Sequence, residues 1–134
     1  MKPIVRLAII GCGMISRFHI DAIRQIKTAE LAGVYDPRTE AAERVAAEQA
    51  VRAYRSLDEL WNDRSVDAVC ICTPSGTHGA LAIDALRHGK HVLVEKPMAL
   101  IREECRTIFD ESRKNGLQAG VVSQLRFSPG VQLV

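Results

Sequence analysis

Six short apolar runs, each but the last followed by a stretch with helical spacing, constrain this chain more than any other feature. The runs fall at residues 5–10, 31–35, 51–54, 67–72, 91–94 and 118–123. Where strongest, as in "HVLV", they are β-branched and nearly continuous in apolar character. A strand with one wet face alternates apolar with polar residues, whereas a continuous run suits a strand buried on both faces. Between the runs, residues 14–26 carry Ile15, Phe18, Ala22, Ile23 and Ile26 on one helical stripe, expected to face inward. Residues 39–50 place Ala42, Val45 and Ala46 together, and residues 77–88 do the same with Leu81, Ala82, Ala85 and Leu86. Residues 100–115 present Ile101, Cys105, Ile108 and Phe109 as their inward face. A short helix is expected at 57–62, with Ser56 placed to accept an otherwise unpaired N–H at its start. Gly89 and Gly116 follow two of the helices as stop signals. Strands interleaved with helices predict an α/β fold: a mostly parallel six-stranded sheet, doubly wound by right-handed crossovers, with helices on both faces.

Several function classes drop out early. The 134 residues suit one domain that buries roughly two thirds of its unfolded surface. The net charge of +2 has no basic cluster behind it, so nucleic acid is not an expected partner. No apolar run approaches the ~20 residues of a membrane span. Lys2 and Arg6 before "LAIIGCGMI" imitate a signal peptide, but the apolar stretch from Leu7 to Ile10 is shorter than the ~7 to 15 residues such a segment needs. Cys70 and Cys72 lie two apart on an expected strand, so both point to one face and do not form a redox turn. With Cys12 and Cys105 they read as reduced, buried cysteines of a cytoplasmic protein. His19, His78, His88 and His91 show no metal-ligand spacing with them, and no metal is expected.

In a doubly wound sheet, ligands bind beyond the carboxyl ends of the strands, where the strand order reverses. The first such end here is "IIGCGMIS". Gly11 permits a tight turn, and Gly13 lets the backbone approach a pyrophosphate that would meet the unpaired N–H groups of the following helix. Ser16 replaces the third glycine of the dinucleotide-binding fingerprint; it is small enough for helix and strand to stay close. Asp36 ends the second strand after the expected ~20 residues, where a carboxylate accepts hydrogen bonds from the adenosine ribose. It also repels a 2′-phosphate, which favours NAD, while Arg38 nearby offsets that repulsion and leaves room for NADP. A turn aspartate before Pro37 is the plain structural alternative, and a nucleotide-binding methyltransferase shares a similar glycine turn.

Two further strand ends fall on the same edge: "CTPSGTH", in which Thr73 and Pro74 form a rigid turn able to line the nicotinamide ribose, and "EKP". A lysine beside a glutamate is ordinarily a solvated surface pair. At the lip of a crevice marked by Gly11, Gly13 and Asp36, Lys96 instead reads as a mobile cation able to hydrogen-bond a substrate hydroxyl.

Together "GCGMIS", Asp36, "CTPSGTH", "EKP" and "RFSP" resemble the N-terminal domain of the glucose–fructose oxidoreductase / inositol dehydrogenase (Gfo/Idh/MocA) family, over essentially the whole chain. The resemblance implies a Rossmann domain of an NAD(P)-dependent oxidoreductase acting on a sugar, polyol or nucleotide-sugar hydroxyl. Lys96 would be the catalytic lysine that assists hydride transfer. Cofactor contacts would come from Gly11, Gly13, Met14 and Ile15 in the glycine turn, and from Asp36 and Arg38 after the second strand. Thr73, Pro74 and His78 would add contacts after the fourth strand, and Glu95, Lys96 and Gln124 after the fifth and sixth. His78 alternatively sits only in the first turn of its helix. The "CTPSGTH" form is similar to that of relatives acting on nucleotide-activated sugars.

Residues 1–125 are expected to form the dinucleotide-binding domain, and 126–134 the start of a connection to a second α/β domain. In the family that domain supplies the substrate pocket, a histidine proton carrier and the dimer interface. The chain is therefore expected to be a domain-sized piece, inactive alone, with a homo-oligomer through its uncovered face. A nonenzymatic NAD-sensing module is the alternative.

Overall fold

The computed structural model describes residues 3–132. Its strands are β1 Val5–Ile10, β2 Ala29–Tyr35, β3 Arg52–Ala53, β4 Ala68–Ile71, β5 His91–Val94 and β6 Ala119–Val121. The helices are α1 Met14–Gln25, α2 Thr39–Gln49, α3 Leu57–Asn62, α4 His78–Arg87, α5 Arg102–Asn115 and α6 Pro129–Gln132. The strands form one sheet in the order β3-β2-β1-β4-β5-β6, every pairing parallel. The chain winds outward from β1 to β3, then crosses back to place β4 on the other side of β1. That reversal between β1 and β4 opens a crevice at the carboxyl edge.

Side-chain alternation along the central strands builds two cores. Ala8 and Ile10 of β1 join Val69 and Ile71 of β4 and Val92 and Val94 of β5 on one face, against Leu60, Trp61, Ala82, Ala85, Leu86 and Ile108 of the covering helices. Ile9 and Cys70 point to the opposite face and pack with Leu31 and Val34 under Ile20, Ile23, Ala42 and Val45 of α1 and α2. Both faces of β4 and of residues 8–10 in β1 are therefore dry, and a fully buried side chain of this kind contributes about 1.5–3 kcal/mol. Strand β5, expected to be buried on both faces, leaves Leu93 exposed. The expected N-cap is present, with Ser56 Oγ accepting from the Glu59 N–H at 3.1 Å. Gly89 and Gly116 take positive φ at the helix ends where stop signals were expected.

Some expectations need correcting. Strand β3 is two residues long, because the Val51 N–H donates to Ala46 O and closes the end of α2 instead of joining the sheet. Strand β2 begins two residues before the apolar run, at Ala29. The inward stripe of α1 is Ser16, Ile20 and Ile23, while Ile15, Phe18 and Ile26 remain exposed. Helix α1 sits over β1 and β2, which turns its Ile15–Phe18–Ala22 side toward a groove shared with Leu93 and Val122. On α5 only Ile108 and Ser112 are buried; Cys105 is half-buried, and Ile101 and Phe109 are exposed. Glu104, four residues before Ile108, lies over Gly79 of α4, so the α4 contact selects the 104–108–112 row and leaves Phe109 outside under the Arg113 guanidinium. Residues 124–127 form a 3-10 turn after β6, and the four-residue α6 follows it. No helix among the described residues is long and apolar enough to cross a membrane, and no group of three or more His, Cys, Asp or Glu among them is placed to hold a metal ion.

Candidate functional site

Because every strand is parallel, the residues after β1, β2, β4 and β5 share one edge. Gly11 leaves β1 with φ +99°, a conformation that side chains disfavour, and a Cβ there would lie 2.8 Å from the Cys72 carbonyl carbon. Glycine is thus required twice, by the turn and by the close approach of β4. Gly13 is different: a Cβ added to it meets no atom within 4 Å. It opens α1 on the crevice side, and no side chain caps that helix. Ser16, fully buried, donates its hydroxyl to Gly13 O at 2.6 Å, so the residue in place of the third glycine pins the turn.

Asp36 faces this turn across the crevice mouth and is only 6% exposed. Its Oδ2 accepts the Cys12 N–H at 2.8 Å and its Oδ1 the Arg38 N–H at 2.9 Å. The Arg38 guanidinium adds contacts of 3.1 Å from Nε and 3.4 Å from Nη2, with the arginine side chain itself largely exposed. Burial alone would raise the Asp36 pKa, but the Arg38 side chain and the two backbone donors outweigh it and hold the carboxyl below its usual range. The group is ionised and aimed.

A cleft of about 440 Å³ brings together Gly11, Gly13, Met14, Ile15, Asp36, Arg38, Thr73 and Pro74, eight of the expected site residues, with Pro37 and Cys72 completing the wall. Burial pushes the Cys12 thiol up to about 11 and the Cys70 thiol up to about 12, and it raises Cys72 further still. These sulfurs stay protonated and act as packing atoms rather than nucleophiles.

The other expected residues lie around this cleft. His78 is 1% exposed beneath it. Its Nδ1 is 2.7 Å from Pro97 O and its Nε2 2.7 Å from Thr73 O. Glu95 and Gln124 line an adjoining apolar groove of about 560 Å³ with Ile15, Phe18, Ala22, Leu93 and Val122. Ile15 belongs to both walls, so the two hollows meet. Lys96 is exposed on the loop between β5 and α5, and its peptide bond to Pro97 is cis. It is not paired with Glu95 through its ammonium. Glu95 instead pairs with His19 at 2.8 Å, both side chains being nearly buried, and takes the Lys96 backbone N–H at 3.2 Å.

His19, Cys72 and the Cys12 N–H were not legible in the sequence as parts of the site. His19 stands alone on its helix with no spacing signal, and its partner is 76 residues away. A roomier cleft of about 690 Å³ lies at the opposite edge of the sheet among Arg6, Arg24 and Arg52. Those guanidiniums are engaged by Glu30, by Gln49, and by Glu59 with Asp63. It faces the amino ends of the strands, where no glycine turn or uncapped helix start is presented.

Comparison with known proteins points the same way. The profile of the oxidoreductase family with an NAD-binding Rossmann fold (GFO_IDH_MocA) matches residues 5–123. The UDP-N-acetylglucosamine 3-dehydrogenase of Acidithiobacillus ferrooxidans is 38% identical over 96% of this chain and 40% of its own length. The scyllo-inositol 2-dehydrogenase (NAD(+)) of Bacillus subtilis is 34% identical over 96% of this chain and 38% of its own. Among solved structures, the WlbA dehydrogenase from Bordetella pertussis in complex with NADH and UDP-GlcNAcA superposes with a TM-score of 0.94 at 34% identity, over 99% of this chain and 40% of that one. The chain thus spans about two fifths of the length of these relatives.

Proposed function

The chain belongs to the Gfo/Idh/MocA oxidoreductase family as an NAD-binding Rossmann domain, and we propose that the cleft at the β1–β4 reversal holds NAD in a fixed direction. The adenosine ribose would lie on Asp36, the pyrophosphate on the open face of Gly13 and the start of α1, and the nicotinamide half toward Thr73, Pro74 and Lys96. The observation that carries this reading is the buried, ionised Asp36 facing a glycine turn whose second glycine has open space in front of it. The residues fit the cofactor chemically: uncapped N–H groups for the pyrophosphate, and a carboxylate acceptor for two hydroxyls. Met14, Ile15, His78, Glu95 and Gln124 complete the walls or support them.

We propose further that the protein is the cofactor-binding part of an oxidoreductase acting on a sugar, polyol or nucleotide-sugar hydroxyl. The bound nicotinamide would supply the hydride acceptor or donor. Lys96 would hold the reacting hydroxyl, since an exposed ammonium with no carboxylate partner is free to donate to a ligand. The proton of that hydroxyl must also be accepted by a base, a role that would fall to groups outside the cleft. The relatives' names support a nucleotide sugar or inositol as the substrate class. NADP is the second cofactor, because the exposed Arg38 guanidinium can turn toward a 2′-phosphate. The groove of Ile15, Phe18, Leu93 and Val122 is the apolar face through which a homo-oligomer would form. Free cysteines fit a cytoplasmic setting, and a net charge of +2 without a basic cluster gives no ground for proposing a nucleic-acid partner.

The test is a calorimetric titration of the chain with NAD and NADP, followed by an NADH assay with inositols, sugars and UDP-sugars. Binding of NAD in preference to NADP, without NADH formation, is expected. Tighter NADP binding would refute the Asp36 assignment; turnover that disappears in Lys96→Ala would refute the division of labour.

A further inference from the structure

We infer that His19 and His78 are positioning residues for Lys96, two imidazoles on separate helices that grip the residues on either side of it. The inference rests on reading the cleft as a dinucleotide site with its nicotinamide end toward Lys96. On the amino-terminal side, the Glu95 side chain is 12% exposed, and a carboxylate removed that far from water needs partners. It has two. His19 of α1 meets Oε1 at 2.8 Å, and Oε2 accepts the N–H of Lys96 itself at 3.2 Å. The Glu95 N–H meanwhile continues the sheet by donating to Ile71 O. Glu95 is therefore a bracket between α1 and the Lys96 peptide.

On the carboxyl-terminal side, Pro97 has no N–H, and its carbonyl is the group left to hold. His78 of α4 holds it through Nδ1 at 2.7 Å, and through Nε2 holds Thr73 O at 2.7 Å. Both partners are carbonyl oxygens, which only accept, so each contact is a hydrogen bond when the nitrogen facing it carries the proton. One buried ring thus spans the turn after β4 and the loop after β5. Helix α1 starts at the glycine turn and α4 starts behind Thr73, so the two grips register Lys96 against both ends of the cleft. Hydroxyl-holding groups lose their effect when displaced by about an ångström, which is what such tethers prevent.

The experiment compares NAD with ADP, which carries the adenosine and pyrophosphate but no nicotinamide riboside. In the 134-residue chain, His19→Leu is expected to lower NAD affinity about tenfold, the loss of roughly one hydrogen bond to a charged group. ADP affinity is expected to stay within about twofold. His19→Gln, whose amide reaches toward the place of Nε2, should restore NAD binding, and the losses from His19→Leu and Lys96→Ala should not add. Equal losses for NAD and ADP, an unchanged NAD affinity, or full additivity with Lys96→Ala would overturn the inference. An unmodified chain that binds neither ligand would instead refute the dinucleotide reading itself. For His78, 15N NMR of the ring decides without a substitution: a proton on Nδ1, which faces Pro97 O, supports the grip, and a bare Nδ1 removes His78 from it.

Discussion

Replacing Asp36 by alanine separates cofactor recognition from fold support, because the structure assigns the carboxylate to both. Two of its donors are backbone N–H groups, Cys12 at 2.8 Å and Arg38 at 2.9 Å, and they aim the oxygens toward the crevice. The other contacts come from the Arg38 guanidinium, which is 70% exposed. An ion pair that open to water is weak, so ribose hydroxyls can displace the arginine with little resistance while the backbone donors keep the carboxylate in place. A hydrogen bond from hydroxyl to carboxylate is charge-assisted, and losing it is expected to weaken NAD binding by about 1–3 kcal/mol, roughly 5- to 150-fold. The same substitution orphans the buried Cys12 N–H, so unfolding stability should fall by about 1–3 kcal/mol as well. Arg38→Ala should change NAD affinity less than Asp36→Ala does, and should weaken NADP more than NAD. Calorimetry with both dinucleotides, alongside urea unfolding of each variant, measures all of these. An Asp36→Ala protein with undiminished NAD affinity, or an Arg38→Ala protein that loses more NAD affinity than Asp36→Ala, would refute the reasoning.

The two glycines of the turn should fail in opposite ways. Gly11→Ala places a Cβ against the Cys72 carbonyl at φ +99° and should destabilise the fold by about 2 kcal/mol or more in urea unfolding. Gly13→Val meets open space, so circular dichroism and stability should hold while NAD binding is lost to a side chain standing where the pyrophosphate would sit. Acid should loosen the edge beside β3: the Ser65 hydroxyl, then its N–H and the Tyr54 hydroxyl, hold the Asp63 carboxyl down at about 2 against its burial, compared with an ordinary 3.8. A folded value below the unfolded one contributes stability that is complete above about pH 4 and lost as the pH falls toward 2. Urea midpoints should therefore drop through that window and drop less in Asp63→Asn; an unchanged slope would remove Asp63 from the account.

What was legible in the sequence is what depends on local pattern. Continuous apolar runs revealed β4 and the end of β1 as dry on both faces but overstated β5, whose Leu93 is exposed. The spacing from Gly11 to Asp36 put both at one edge of the sheet, because that follows from chain order within one βαβ unit. The inward faces of α1 and α5 were misjudged because apolar spacing marks a stripe but not what covers it. Phe18 and Phe109 fit their stripes yet stay exposed, while Ile20 and Ser16 replace Phe18 inward on α1 and Ile108, as expected, is joined on α5 by Ser112. The exposed place of Lys96 just after β5 was readable from its strand end. The partners of its neighbours were not, since His19 and Glu95 are 76 residues apart and only the strand order brings them together.

The most direct test of the dinucleotide site is a titration of the 15N-labelled chain with NAD, followed through backbone amide shifts. The account predicts that Gly11, Gly13, Met14, Ile15, Arg38, Thr73 and Lys96 respond together, at the carboxyl edge of the sheet. Shifts confined to the cleft of Arg6, Arg24 and Arg52 at the opposite edge, or no response at all, would contradict it.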